Sequence, residues 1–62
     1  MNNIQRKKLL KAKLIIEEVL QQEQIKLHNI PENLEVSTLA TNLEDAICWL
    51  EEARDALNEV GV

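Results

Sequence analysis

Apolar side chains recur at alternating intervals of three and four residues through the second half of the chain. This spacing puts them on one stripe of an α-helix and is typical of helices that pack with a left-handed twist against a neighbour. The stripe consists of Val36, Leu39, Leu43, Ala46, Leu50, Ala53, Leu57 and Val60. Ala40 and Ile47 widen it on one side, and Trp49 and Ala56 widen it on the other. A helix of this kind needs another helix to pack against.

The composition of the 62 residues favours helices throughout. Glycine and proline occur once each, and one tryptophan is the sole aromatic residue. β-Sandwiches and barrels need frequent turns and strands rich in β-branched or aromatic residues. Leu, Ile, Ala, Glu, Lys and Gln dominate here, and these residues favour helix. We predict a single all-α domain.

The stretch HNIPENLEVS is the one clear break in the helical pattern. Pro31 within it ends a helix, because proline lacks the backbone N–H that a helix interior requires. We predict a first helix over residues 3–28, a connection over 29–37 and a second helix over 38–60. A short connection between two helices of similar length predicts an antiparallel two-helix hairpin.

The ends of both helices carry residues that suit caps. Asn3 is the expected N-cap of the first helix. Gly61 is expected to end the second helix, because glycine readily adopts the left-handed conformation that follows a helix. The candidates for the start of the second helix are Ser37, Thr38 and, one turn later, a capping box of Thr41 and Glu44.

The first helix is apolar over a wider arc than one neighbour requires. Its main apolar face contains Leu9, Ala12, Ile16, Val19, Leu20, Leu27 and Ile30, and Ile15 extends it. Leu10, Leu14 and Ile25 lie well outside this face. A helix in an isolated hairpin needs a single apolar stripe. We therefore predict a homodimer that forms a four-helix bundle. The expected oligomer interface comprises Leu10, Leu14, Ile16, Leu20, Ile25, Leu27, Leu43, Leu50 and Leu57.

Chain length supports the same prediction. In a domain this small, the free energy gained by burying apolar surface roughly cancels the cost of ordering the chain. One cysteine cannot form a disulfide within the chain, and no set of zinc ligands is present. The stability that is missing is expected to come from a second copy.

The charges are distributed unevenly along the chain. Residues 1–13 carry five cations and no acid, whereas the remainder carries all eleven acids, so that the net charge is −4. An antiparallel hairpin would put the basic first turns beside the acidic end of the second helix. We expect these charges to pair there, with Glu51, Glu52, Asp55 and Glu59 as the acidic partners.

No arrangement of residues predicts catalysis, a metal or a cofactor. Cys48 is surrounded on its helix by carboxylates, which disfavour the thiolate that a nucleophilic cysteine needs. His28, the only histidine, belongs to the other helix. The Glu-x-x-His motif of di-iron bundles is absent, because Ile25 precedes His28 by three residues. We predict a non-enzymatic protein with an exposed Cys48; burial of Cys48 against a second subunit is the alternative.

Trp49 is expected to cover the edge of the hairpin core. The alternative is that it anchors a partner protein, since tryptophan is over-represented among the residues that dominate binding energy. The acidic face of the same helix is ordinarily a solvated surface, but it could meet a basic partner. The candidate partner-binding residues are Trp49, Glu44, Asp45, Glu51, Glu52 and Asp55.

Glu23 is a carboxylate on the main apolar face of the first helix, between Leu20 and Leu27. A carboxylate that is removed from water needs a partner. Three readings are open: Glu23 pairs with Lys26, lies near the edge of the bundle, or sets the register of packing.

The basic N-terminal turns offer an alternative function, nucleic-acid binding through Arg6, Lys7, Lys8, Lys11 and Lys13. The negative net charge and the lack of aromatic side chains for base stacking argue against it. Membrane binding is disfavoured because interfacial aromatic residues are lacking and Glu17 and Glu18 follow. No apolar run of 18 residues and no signal peptide are evident. We expect a soluble, cytoplasmic protein, in agreement with one unpaired cysteine.

The basic first helix, the NIPENL connection and the NLEDAI...LEEA second helix resemble small helical-hairpin proteins of bacteriophages, prophages and plasmids. Such proteins often have no assigned activity, so the resemblance implies a mobile-element origin and carries over no functional residue. We predict a small protein-interaction module that associates with itself and acts as a phage-type modulator of a host protein.

Overall fold

Two antiparallel helices form the computed structural model, which describes residues 1–31, 33 and 38–62. Helix α1 spans Asn3–His28 and helix α2 spans Thr38–Val60, bounds that coincide with those predicted. The helices pack against each other in a hairpin about 50 Å long and 15 × 12 Å across its Cα positions. The all-α hairpin is therefore confirmed, whereas its dimerisation remains a prediction.

Helix α1 begins with a capping box built by Asn2 and Gln5. The Gln5 backbone N–H donates to Asn2 Oδ1 at 2.8 Å, and the Asn2 backbone N–H donates to Gln5 Oε1 at 3.1 Å. Two backbone donors at the helix start are thereby satisfied. The predicted N-cap, Asn3, was wrong by one residue, because only Asn2 has a Gln three positions later to complete the box.

Helix α2 ends at Gly61, as predicted. Gly61 has φ +95°, and its N–H donates to the Asn58 carbonyl at 3.0 Å. The Val62 N–H reaches back to the Leu57 carbonyl at 3.5 Å, which completes a Schellman motif. At the other end, α2 begins at Thr38, so Thr41 lies inside the helix. Ser37 and Val36 lie outside the described residues.

Four side chains are buried among the described residues, and they form the centre of the hairpin. Leu20 of α1 is 4% exposed, and Ala40, Leu43 and Ile47 of α2 are between 1% and 9% exposed. Half-buried residues extend the core along both helices: Leu9, Ala12, Ile16 and Leu27 on α1, and Ala46, Leu50, Arg54 and Leu57 on α2. Ile30, just beyond α1, is half-buried as well. The core is thus a single narrow layer.

The packed stripe of α2 is rotated from the predicted one. Ala40 and Ile47, expected to widen the stripe, are at its centre, and Arg54 is half-buried in the same row. Leu39 and Val60, expected in the stripe, are 60% and 45% exposed, and Ala53 is exposed. The apolar arc of α2 is wide enough for two adjacent stripes, and α1 covers only one of them.

Helix α1 leaves the residues outside its main face exposed, as the sequence predicts. Leu10 is 44% exposed, Leu14 55% and Ile25 54%. Val19, predicted within the main face, is 38% exposed at its margin. One α2 helix is therefore too narrow to cover the apolar surface of α1.

Replacement of Leu20 by Ala is expected to destabilise the hairpin by about 2–5 kcal/mol, because it removes the most buried side chain of α1. The matched control is Leu14→Ala, the same substitution at an exposed position, which should change stability by about 0.5 kcal/mol or less. Urea unfolding followed by circular dichroism measures both. Equal losses in the two variants would contradict the assignment of the core.

Candidate protein-interaction surface

Large apolar side chains cover much of the surface. Ten of them are at least 38% exposed, against the four buried residues of the core. They are Met1, Ile4, Leu10, Leu14, Ile15, Val19, Ile25, Leu39, Trp49 and Val60. Single exposed apolar residues are ordinary, but groups of them mark interaction sites.

Trp49 does not cover the edge of the core, contrary to our first expectation. Its side chain is 68% exposed, the largest exposed fraction among the exposed large apolar residues of the described chain. The physical reason is the rotation of α2, which turns Ile47 toward α1 and carries Trp49 away from it. The alternative reading, a partner anchor, stays a prediction.

The predicted acidic residues lie along one side of α2, beside an open groove. Leu27 of α1 and Ile47 of α2 supply the apolar part of the groove. Cys48 and four carboxylates supply its polar part: Glu44, Glu51, Glu52 and Asp55. We call these four carboxylates and the groove beside them the acidic groove. Asp45 is exposed on α2 but does not line it.

Cys48 is exposed, as predicted. Its Sγ lies 3.9 Å from Glu52 Oε1, one helical turn away, at the distance of a weak hydrogen bond. This contact joins the thiol to the acidic side of α2.

A basic and apolar patch occupies the N-terminal half of α1. Ile4, Leu10 and Leu14 line a shallow depression there. Lys7, Lys8 and Lys11 surround it, and we call these six residues the basic patch. The patch combines apolar side chains with positive charge in one surface.

The predicted ion pairs between this basic segment and the end of α2 are not formed. Among the described residues, salt bridges join Lys26 to Glu23 and Arg54 to Asp55. Lys13 of the segment makes a different contact at the end of α2, where its Nζ donates to the Val62 main-chain oxygen at 3.1 Å. Carbonyl oxygens at a helix C-terminus carry partial negative charge and attract a cation. Apart from Asp55, the acids of α2 form no salt bridge among the described residues.

Glu23 is half-buried, and its carboxylate pairs with Lys26. Lys26 Nζ lies 2.9 Å from Glu23 Oε1, with the glutamate side chain 18% exposed and the lysine 63%. The pair joins residues one helical turn apart and keeps the charge solvated on the lysine side. Of the three readings of Glu23, the pair with Lys26 is confirmed.

Neither a metal cluster nor a membrane span is found in the part of the chain that the structure describes. No group of three or more His, Cys, Asp or Glu side chains converges there. Neither described helix has an apolar stretch long enough to cross a membrane.

Comparison with known proteins does not identify a family. No protein-family model, curated protein or solved structure matches the chain. Function must therefore be argued from the surfaces described above.

Cys48 is expected to react with N-ethylmaleimide in the native protein at a rate close to that of the urea-unfolded chain, because it is exposed. In a Cys48→Ser background, Ile47→Cys provides a buried control one position away, and it should be strongly protected. Mass spectrometry of the alkylated protein gives both rates. Protection of Cys48 in the native state would place a second chain over this side of α2.

Proposed function

We propose that this chain is a non-enzymatic protein-interaction module that associates with itself, as a dimer that forms a four-helix bundle. The observation that carries the proposal is the accessible surface of the chain, 4887 Å². A compact monomer of 7.1 kDa exposes about 4,100 Å². The excess of about 800 Å² equals what one partner contributes to a protein interface of standard size.

The chain is also elongated, and its elongated shape and its large accessible surface both follow from its having only two helices. Its Cα radius of gyration is 14.5 Å, whereas about 10.6 Å is expected for a compact domain of this length. Two helices side by side form one layer, and each helix keeps most of its circumference in contact with water. Pairing two such layers is the simplest way to give every helix two neighbours.

Beyond self-association, we propose that the dimer binds another protein. The acidic groove and the basic patch would both remain accessible at the dimer surface. Among the described residues, Asp55 of the groove pairs with Arg54, whereas Glu44, Glu51 and Glu52 and the lysines of the basic patch form no salt bridge. The resemblance to mobile-element hairpins suggests a host protein as this partner.

Light scattering after size exclusion, over a concentration series, tests self-association directly. We expect a molar mass of twice 7.1 kDa at low micromolar concentration. A dimer that dissociates to monomer on dilution is also consistent with the proposal. A folded species of 7.1 kDa at every concentration would contradict it, because the excess accessible surface would then remain exposed to water in a stable monomer.

Nucleic-acid binding is the rival function, favoured by one observation: the lysines of the basic patch have no acidic partner within the described hairpin. We expect no binding of labelled duplex DNA or single-stranded RNA at low salt, because the net charge is −4. Binding through the five cations of residues 1–13 would instead weaken steeply with salt, with a log–log slope of about −4.5 for duplex DNA. That slope, together with loss of binding on charge reversal of Lys7, Lys8 and Lys11, would establish the rival.

A further inference from the structure

Helix α2 carries a second apolar stripe beside the one that packs on α1. Its members are spaced by three, four or seven residues: Leu39, Ala46, Trp49, Ala53, Ala56 and Val60. Leu39, Trp49 and Val60 are between 45% and 68% exposed, and no charged residue interrupts the row. Asn42 is the polar residue within it. The alanines would allow a neighbouring helix to approach closely.

The geometry of an antiparallel hairpin places part of α1 on the same side. Viewed along the hairpin, residues advance clockwise around one right-handed helix and anticlockwise around its antiparallel neighbour. We measure the angular position of each residue from Leu20 on α1 and from Ile47 on α2, and call a position against the direction of advance a backward displacement. Residues displaced backward from Leu20 therefore lie on the same side of the hairpin as residues displaced backward from Ile47. At about 100° per residue, Val19 and Ile15 are displaced backward by about 100–140°. The α2 stripe is displaced in the same sense. We call this shared side, with Ile15, Val19 and the α2 stripe, the Trp49 face.

The opposite side of the hairpin is apolar on one helix only. Leu10 is displaced forward from Leu20, and on α2 the forward side carries Cys48 and the acidic groove. A second hairpin that packed there would have to cover carboxylates as well as leucines. Burial of unpaired carboxylates is costly. The Trp49 face is thus the side on which both helices offer apolar surface.

We infer that a second copy of the chain docks on the Trp49 face, with the two-fold axis parallel to the helices and both connections at the same end. The inference rests on the proposed self-association and specifies its surface and orientation. In this arrangement α1 of each chain lies against α2 of the other. Trp49, Ala53 and Ala46 then contact the region of Ile15 and Val19 across the interface.

Charge selects this orientation over the alternative, in which each helix lies against its own copy. Residues 1–13 carry five cations, and residues 44–59 of α2 carry six acids and Arg54. With the connections at one end, the basic half of α1 lies beside the acidic half of the partner's α2. With the connections at opposite ends, the two acidic α2 helices lie beside each other. The acids belong to the groove side of α2 and not to the interface, but opposite charges on neighbouring helices still favour the first arrangement, and like charges disfavour the second.

The docking face is tested by a matched pair of neutral substitutions, Trp49→Gln and Leu14→Gln. Glutamine is a good helix former and adds no charge to either helix. Both positions are exposed apolar sites, 68% and 55% respectively. We expect Trp49→Gln to raise the dimer dissociation constant about 30-fold or more, as for a central interface tryptophan. Leu14→Gln should leave it nearly unchanged, because docking on the Trp49 face leaves Leu14 outside the interface, in contrast to the interface expected from the sequence.

The unmodified protein provides a readout that does not depend on how the variants fold. Trp49 is the single tryptophan, so its emission reports one site. We expect the emission maximum to move to longer wavelength as dilution dissociates the dimer, while the mass falls in parallel. An emission that stays unchanged while the mass falls would overturn the Trp49 face and leave self-association intact.

Orientation is tested by electron–electron distance measurement on a Cys48→Ser, Asn29→Cys chain that carries one spin label. Asn29 is exposed beside the connection. Connections at the same end predict a label separation of about 20–30 Å, because packed helices lie 8–10 Å apart. A separation near the 50 Å length of the hairpin would overturn the orientation.

The possible failures can be told apart. A mass of 7.1 kDa at all concentrations would overturn the proposed function and this inference together. A dimer that survives Trp49→Gln but dissociates with Leu14→Gln would overturn the docking face alone, and would move the interface to the basic patch side of α1. At low concentration, Trp49→Gln could lose both its helical circular dichroism and its dimeric molar mass. If both return at high concentration, folding and docking on this face are coupled, which supports the inference.

Discussion

The packing of α1 on α2, which buries Leu20 on one helix and Ala40, Leu43 and Ile47 on the other, holds the two helices together. Everything else about the surface follows from how narrow this contact is. One layer of side chains between two helices removes a single stripe of each from water, and both helices carry more apolar surface than that stripe. A hairpin of this kind is short of internal burial, which is the usual reason for small helical chains to assemble.

The rotation of α2 decides what the surface presents. Two apolar stripes run side by side on this helix, one through Ala40 and Ile47 and one through Ala46 and Ala53. When the first stripe packs on α1, Arg54 lies in the packed row, where its aliphatic stem can cover apolar neighbours while its guanidinium stays near Asp55. The second stripe, with Trp49, is then turned outward. The exposed tryptophan is thus a consequence of which stripe α1 occupies.

Electrostatics within the hairpin act mainly at the helix ends. The basic first turns of α1 oppose its macrodipole, but Lys13 reaches the Val62 oxygen beyond the C-terminus of α2, where positive charge is favourable. The remaining cations and the α2 acids stay unpaired with each other. Exposed pairs between them would in any case stabilise the fold by only a few tenths of a kcal/mol. Their uneven distribution matters more for the choice and orientation of partners than for the fold of one chain.

The sequence by itself determined the helical class, the helix bounds, the end of α2 at Gly61 and the excess of apolar surface on α1. These features depend on local propensity, on the single break at Pro31 and on spacing, all of which are properties of neighbours along the chain. The Asn2–Gln5 capping box is also a local pattern of the sequence. Tertiary structure alone decided that Ala40 and Ile47 rather than Leu39 and Ala53 face α1, and that Trp49 lies outside the core. The apolar arc of α2 is wide enough for two stripes, and either stripe could pack against α1 with the same three- and four-residue spacing. The choice between them depends on the shape of the α1 surface that packs against it, and the α2 pattern does not contain that shape.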